Sequence, residues 1–335
     1  MANMSQSACC KPQHTAPLVI RTATEFIASL MAMFAIYTFS SMATAMYGIN
    51  LLMVAIGTGI AYAAAIGIAA KISGGHLNPA ITIASMLTGH TSYVAGICYI
   101  IAQILGAIAA ASLFVFVLPQ TKMVPDNSWF APVVNGFESG SISANQLKSV
   151  NASFGVVTAL VVEVIAVLVI VATAMAHTDE QGNAKCGYAT HMGIAYAAGT
   201  FMTYQVTGAG LNPARSTGIA ILAQSHKLTT SPLGQLWAFW VAPIFAAALV
   251  GFVMLLTRLV TAPASQAHYA KAHAKTAVAT MAAPEANGVN AGVNTGVNAY
   301  PSADPSADPN AGVNADPNAN QAQPADAADN DSQLL

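Results

Sequence analysis

Charged side chains are scarce in this chain of 335 residues: they make up 7% of it, whereas 55% of the residues are hydrophobic and the mean hydropathy is +0.56. A typical soluble domain carries about 25% charged residues. The composition therefore excludes an ordinary soluble domain and indicates a protein of the lipid bilayer. The net charge is −2 and no cluster of Lys or Arg stands out, which argues against a nucleic-acid partner.

Cysteine is also rare. The chain has four cysteines, and their spacing matches neither a metal site nor a disulfide framework. These residues are Cys9, Cys10, Cys98 and Cys186. We therefore expect no bound metal and no cofactor.

The acidic residues are concentrated near the C-terminus, where seven of the 13 lie between Glu285 and Asp331. The segment around them consists of low-complexity repeats of small or polar residues, which cannot bury enough apolar surface to offset the entropy of ordering. We predict a disordered cytoplasmic tail over 261–335, a short cytoplasmic arm over 1–17 and a membrane domain over 18–260.

Two similar boxes stand out within the membrane domain. The stretch from Ser73 to Ala80 and the stretch from Thr207 to Arg215 both place glycines before Leu-Asn-Pro-Ala. Asn is a favoured helix N-cap, and Pro fits the first helical position because its missing N–H would be unpaired there. Each box therefore predicts a loop that becomes a helix at Asn78 or Asn212.

The boxes belong to an internal duplication. Asn212 follows Asn78 by 134 residues, and the sequence Gly-Ile-Ala-Tyr-Ala-Ala occurs at 59–64 and again at 193–198, with the same offset. Farther upstream, Glu25 and Glu163 lie 138 residues apart, each inside an apolar run. We assign repeat one to about 18–118 and repeat two to about 153–258.

Apolar segments long enough to cross a bilayer need roughly 20 helical residues. Six segments qualify: 18–40, 50–71, 92–118, 153–176, 187–206 and 233–257. The residues after each box are too few to cross and predict a half-helix that enters the membrane and returns. Three spans per repeat make an odd number of crossings, so the second repeat is inverted, a design that places broken helices around a central cavity.

The positive-inside rule gives the orientation. Placing both termini in the cytoplasm puts seven of the flanking Lys and Arg residues inside and four outside. The inside set is Lys11, Arg21, Lys71, Lys185, Arg258, Lys271 and Lys275, and the outside set is Lys122, Lys148, Arg215 and Lys227.

The paired boxes, Arg215 directly after the second box, the two glutamates and the run from Tyr99 to Gly106 together resemble the major intrinsic protein family, the aquaporins. The resemblance covers about 18–258. It implies an all-α membrane protein with six transmembrane helices and two re-entrant half-helices, assembled as a homotetramer with one pore per subunit. It also places Asn78, Pro79, Ala80, Asn212, Pro213 and Ala214 at the pore midplane.

The same resemblance places Arg215 in an outer selectivity filter. Counting from the boxes assigns Thr58, Thr200 and Ala209 as its partners. In the orthodox water channels that this chain resembles, Phe and His occupy the positions of Thr58 and Thr200. Threonine is smaller than either and carries a hydroxyl, so the two threonines predict a wider filter that is still polar. Four flanking positions resemble the water-type set instead: Ser216, Ala220, Phe239 and Trp240.

We therefore predict a passive channel for water that also leaks hydrogen peroxide, ammonia or urea and excludes protons and ions; a plasma membrane is favoured. The alternative in the same class is a glycerol or urea facilitator. Glu25 and Glu163 are interpreted as structural acceptors for loop N–H groups, and His76 as a support of the first loop. A second alternative is a membrane enzyme that uses these glutamates, but the sequence shows no nucleophile or metal-binding cluster beside them. A third alternative is a scaffold protein that acts through the tail.

Overall fold

The computed structural model describes residues 16–48, 50–119, 121 and 124–261, and these residues are helical except for short loops. A single isolated β-bridge joins Thr178 to Ala184. Nearly all of the predicted arm, the predicted tail from 262 onwards, Cys9, Cys10 and Lys122 lie outside the described residues.

The long helices and the two half-helices alternate as the duplication predicts. In the first repeat α1 spans Leu18–Tyr47, α2 Leu51–Ser73, α3 Pro79–Leu87 and α4 Tyr93–Val117. The connection between the repeats carries two short helices, α5 (Asp126–Phe130) and α6 (Ala144–Lys148). The second repeat contains α7 (Val156–Ala176), α8 (Tyr188–Thr207), α9 (Pro213–Ala223), α10 (Pro232–Gln235) and α11 (Ala238–Thr261).

Five segments of the described chain are long and apolar enough to cross a membrane; four are α1, α2, α4 and α7, and the fifth runs through α10 and α11. The sixth predicted span is α8, which has 20 residues but a lower mean hydropathy because several of its side chains are polar. These polar groups face protein, since Tyr196, Thr200, Thr203 and Thr207 are all buried. The predicted six-span plan is therefore confirmed.

One span ends later than predicted, and one is divided into two helices. Helix α1 continues to Tyr47, beyond the predicted end at 40, because no residue in 41–47 breaks a helix. The last apolar span starts at Pro232, close to the predicted 233, but it contains two helices: the short turn α10, capped by Ser231, and α11 from Ala238.

The two repeats pack around a shared contact between α2 and α8. There Gly59 and Gly193, which are equivalent in the duplication, approach so closely that a Cβ on Gly59 would lie 2.5 Å from the carbonyl oxygen of Gly193. Small residues permit this backbone approach in membrane helices. The remaining contacts are also paired, since α1 packs on α2 and α4 as α7 packs on α8 and α11.

Candidate functional site

Each half-helix begins at the asparagine of its box. The Oδ1 atom of Asn78 accepts a hydrogen bond from the backbone N–H of Ala80 at 2.9 Å, and Oδ1 of Asn212 accepts one from Ala214 at 2.9 Å. Pro occupies the first helical position in both. The side-chain oxygens therefore cap the half-helices, and the Nδ2 atoms remain to face the other repeat.

The leucine before each asparagine has a left-handed backbone, with φ of 48° at Leu77 and 55° at Leu211. Side chains rarely adopt this conformation without support from their surroundings. It turns each leucine carbonyl toward the opposite box: Nδ2 of Asn212 donates to the oxygen of Leu77 at 2.7 Å, and Nδ2 of Asn78 donates to that of Leu211 at 3.0 Å. The N-termini of α3 and α9 thus meet, and their positive dipole ends face the same point.

A buried carboxylate holds the first loop in this conformation. Glu25 accepts hydrogen bonds from the backbone N–H of His76 at 3.0 Å and of Leu77 at 2.8 Å. Ser73 Oγ and Gln103 Nε2 donate to the same carboxylate at 2.6 and 2.8 Å. Charge-assisted bonds of this kind are the stronger class in proteins, so Glu25 supports the strained turn.

Glu163 makes the equivalent contacts in the second repeat. It accepts from the backbone N–H of Gly210 at 2.8 Å, from that of Leu211 at 2.7 Å and from Thr207 Oγ1 at 2.5 Å. The donors Thr207, Gly210 and Leu211 follow Ser73, His76 and Leu77 by the same 134 residues. Both glutamates therefore contact the loops that position the boxes.

His76 lies inside the first loop and is buried. Its Nδ1 atom is 3.1 Å from Thr82 Oγ1 on α3, and its ring packs edge-on against Tyr99 of α4, with the centroids 5.5 Å apart. The side chain therefore links the loop both to the half-helix and to the span that follows it.

Two tyrosines that sequence reasoning left unassigned complete the centre. The hydroxyl of Tyr196 accepts from Nδ2 of Asn78 at 2.9 Å, and the hydroxyl of Tyr62 accepts from Nδ2 of Asn212 at 3.0 Å. With the leucine carbonyls, these hydroxyls use both hydrogens of each amide. The repeated Gly-Ile-Ala-Tyr-Ala-Ala was the available signal, because it carries one tyrosine in each repeat.

Arg215 is buried beside the second box, at 3% exposure. Its Nη1 atom donates to Oδ1 of Asn135 at 2.6 Å, and Nη2 donates to the carbonyl oxygens of Gly208 at 3.1 Å and Val133 at 3.4 Å. These acceptors carry no formal charge, so they fix the guanidinium in place without forming an ion pair with it. Gly208 directly precedes Ala209, which brings that predicted filter position to the arginine.

Asn135 is a third residue that sequence reasoning missed. Besides holding Arg215, it accepts from Ser216 Oγ at 2.8 Å and donates to the carbonyl oxygens of Thr207 at 3.1 Å and Gly208 at 2.9 Å. It lies in the connection between the repeats, and its one signal in sequence is a polar residue inside an apolar run.

The two predicted filter threonines lie one helical turn from the tyrosines. Thr58 precedes Tyr62 by four residues on α2, and Thr200 follows Tyr196 by four on α8, so each shares its helix face with a tyrosine. The hydroxyl of Thr200 donates to the carbonyl oxygen of Tyr196 at 2.8 Å. Its hydrogen is thus used within the helix, and its remaining capacity is to accept.

At the opposite end of the bundle, Arg258 at the end of α11 crosses to the loop after α3. Its guanidinium donates to the carbonyl oxygen of Thr88 at 2.7 Å, and Nη2 lies 2.7 Å from Nε2 of His90. Burial, and then the Arg258 charge, lower the pKa of His90. The charged groups that also act on His90 are Asp179, Glu180 and Lys185.

Comparison with known proteins agrees with this geometry. The family model described as "Major intrinsic protein" matches residues 14–254. Aquaporin TIP2-3 of Arabidopsis thaliana is 30% identical over 237 residues, which cover 68% of this chain and 83% of that protein. The lens fiber major intrinsic protein of Homo sapiens is 33% identical over 226 residues, which cover 67% of this chain and 76% of that protein.

A solved structure shares the fold. The X-ray structure of the aquaglyceroporin from Plasmodium falciparum superposes with a TM-score of 0.56 at 20% identity, covering 70% of this chain and 94% of that chain. Members of the matched family are passive channels. This chain therefore belongs to the major intrinsic protein family, as an integral multi-pass membrane channel of the aquaporin fold and not an enzyme.

Proposed function

We propose that this channel conducts water passively, leaks small neutral solutes such as hydrogen peroxide, ammonia or urea, and excludes protons and ions. The observation that carries the proposal is the environment of Arg215, a buried guanidinium held by neutral oxygens. It is supported by the assignment of Thr58 and Thr200 to the filter, at positions that resemble bulkier rings in orthodox water channels.

Exclusion of cations follows from two fixed positive elements. The first is the charge of Arg215, and the second is the pair of half-helix N-termini that meet at Asn78 and Asn212. A cation or a hydrated proton that enters this path loses hydration and meets repulsion, whereas a neutral molecule loses only hydrogen bonds that the filter replaces.

Permeation of neutral solutes is supported by the small side chains at the filter. Two threonines leave more width than an aromatic ring and an imidazole would, and their oxygens still accept hydrogen bonds. The same width supports the alternative, a glycerol or urea facilitator. Water rather than glycerol is favoured by four flanking residues that resemble the water-type set: Ser216, Ala220, Phe239 and Trp240.

The test uses the full chain in proteoliposomes and stopped-flow light scattering. Shrinkage in sucrose reports water, and re-swelling in urea or glycerol reports each solute. We expect water permeability above that of protein-free liposomes, urea-driven re-swelling and little glycerol flux. Fast glycerol re-swelling would make the facilitator the answer, and a response equal to that of protein-free liposomes would refute a conducting pore.

Thr200→His narrows the proposed filter and is expected to abolish urea flux while sparing water. The matched control is Thr190→His, the same substitution at an exposed position on the same helix, and it should leave both fluxes unchanged. Undiminished urea flux in Thr200→His would remove Thr200 from the filter.

We further propose that the channel is a homotetramer with both termini in the cytoplasm, in the plasma membrane. The orientation is supported by the excess of Lys and Arg on that side. The mass of the detergent-solubilised protein, with detergent subtracted, tests the tetramer, and protease access to the tail in sealed cells tests the orientation.

A further inference from the structure

The rings of Tyr62 and Tyr196 lie face to face at the centre of the bundle. Their centroids are 3.4 Å apart and their planes differ by 5°. One ring belongs to each repeat, since the residues are separated by the 134-residue offset. They sit three residues beyond the glycines at which α2 and α8 cross, and this crossing brings the two helix backbones close enough for the rings to touch.

The stack occupies the place where a permeating molecule would meet the asparagines. Each amide has one hydrogen on a leucine carbonyl and the other on a tyrosine hydroxyl, so neither amide has a hydrogen left for a solute. Asn78, Asn212 and Tyr196 are 0% exposed and Tyr62 is 1% exposed. A pore open at this level would leave these side chains in contact with water.

The outer filter is less tightly closed than the centre. Thr58 and Ala209 each retain 4% exposure and Arg215 retains 3%, whereas Thr200 is 0% exposed. Three of the four filter residues thus keep some exposure, and the two tyrosines, one helical turn deeper than the filter threonines, fill the path at the midplane.

We propose that the Tyr62–Tyr196 stack is the gate of this pore, and that a molecule passes the midplane only when the rings separate and release the asparagine amides. This inference rests on the proposed function, because it assigns the control of that same conduction. When the rings separate, water replaces the two hydrogen bonds between the tyrosine hydroxyls and the asparagine amides, and the contact between the rings is lost. The backbones of α2 and α8 stay in place, because they are packed together at the crossing of Gly59 and Gly193.

The proposed gate predicts how much water permeability should rise when the rings are removed. A minor conformation that costs a few hydrogen-bond and ring contacts is populated at roughly 0.1–10%. Replacing both rings by a side chain that cannot stack removes the closed state, so Tyr62→Val combined with Tyr196→Val should raise water permeability roughly tenfold or more over the wild type.

The experiment compares four full-length proteins in proteoliposomes at equal incorporation. The valine pair removes the rings. The pair Tyr62→Phe and Tyr196→Phe keeps the rings and removes the hydroxyls, and its water permeability should stay well below that of the valine pair. Tyr93→Val, at an exposed tyrosine at the start of α4, controls for loss of a tyrosine elsewhere and should equal the wild type. If the valine pair does not elute as a folded species, the single Tyr62→Val and Tyr196→Val proteins replace it, and each should exceed the wild type.

The outcomes separate the gate from the channel. Wild-type permeability equal to that of the valine variants, and well above protein-free liposomes, overturns the gate and leaves the proposed function intact. A phenylalanine pair as permeable as the valine pair also overturns it, because the hydroxyl bonds and not the rings would then close the path. If none of the folded proteins conducts water, urea or glycerol, both the gate and the proposed function are wrong.

Discussion

Arg215, at the start of the second half-helix, and Asn135, in the connection between the repeats, are joined by a 2.6 Å hydrogen bond from Nη1 to Oδ1. Asn135 itself is anchored by its amide on the carbonyl oxygens of Thr207 and Gly208. The arginine charge is therefore held in position by a neutral side chain that is fixed to the second box.

Replacing Asn135 by Asp tests whether that neutrality matters. The carboxylate pairs with Arg215 and cancels its charge, so we expect a cation leak with little change in water permeability. A proton-sensitive dye inside the proteoliposomes, under a potassium diffusion potential, measures the leak. Asn145→Asp, an exposed position in the same connection, is the control, and a leak that is equal in both variants would contradict a role for Asn135.

Replacing Glu25 by Gln tests the support of the first loop. The amide keeps the shape but turns one acceptor oxygen into a donor, which leaves the N–H of His76 or Leu77 without its charged partner. Leaving a buried donor unsatisfied costs about 1–3 kcal/mol, so the thermal unfolding temperature in detergent should fall. Glu138→Gln removes an exposed carboxylate and should have no such effect; equal unfolding temperatures in the two variants would argue against the loop-support role.

Replacing Ala209 by Cys tests whether this position faces the permeation path. The thiol would bind mercury beside Arg215, so a mercurial should block water flux in the variant and a thiol reductant should restore it. The wild type should be insensitive, because Cys98 lies in an apolar groove between α1 and α4 and Cys186 is exposed in a loop. Strong block of the wild type that disappears in Cys98→Ser would show a second accessible site.

The contact of Arg258 with His90 predicts an acid-sensitive stability. Burial and the adjacent guanidinium lower the pKa of His90 below 6.5, so the unfolded chain takes up a proton more readily than the native one. The stabilising contribution of neutral His90 is complete above a pH of about 6.5 and is lost as the pH falls toward the lowered pKa. Nearby Asp179 and Glu180 oppose this shift without reversing it.

Thermal unfolding in detergent between about pH 7.5 and about pH 5 measures this contribution. On acidification, the thermal unfolding temperature of the wild type should fall further than that of His90→Gln, because glutamine cannot take up the proton. Parallel pH profiles for the two proteins would show that His90 contributes nothing in this range.

Much of the fold of this protein could be predicted from features that act on neighbouring residues. The spans follow from the length of apolar runs, and the starts of α3 and α9 follow from Asn-Pro, because an N-cap and a first-turn proline act on the residues beside them. Inversion follows from counting crossings. Among the described residues, the structure adds turns at helix ends, such as those of α1 up to Tyr47, and the unpredicted short helices α5, α6 and α10.

Contacts between segments that are distant in the chain could not be predicted from the sequence. Nothing at Asn135 indicates that it meets Arg215, 80 residues later, because that contact depends on how the connecting loop folds back. The duplicated motif displays one tyrosine in each repeat but not their meeting, since a stack requires a particular rotation of α2 against α8. The sequence by itself determined a two-fold channel; close packing at Gly59 and Gly193 decided which side chains fill its centre.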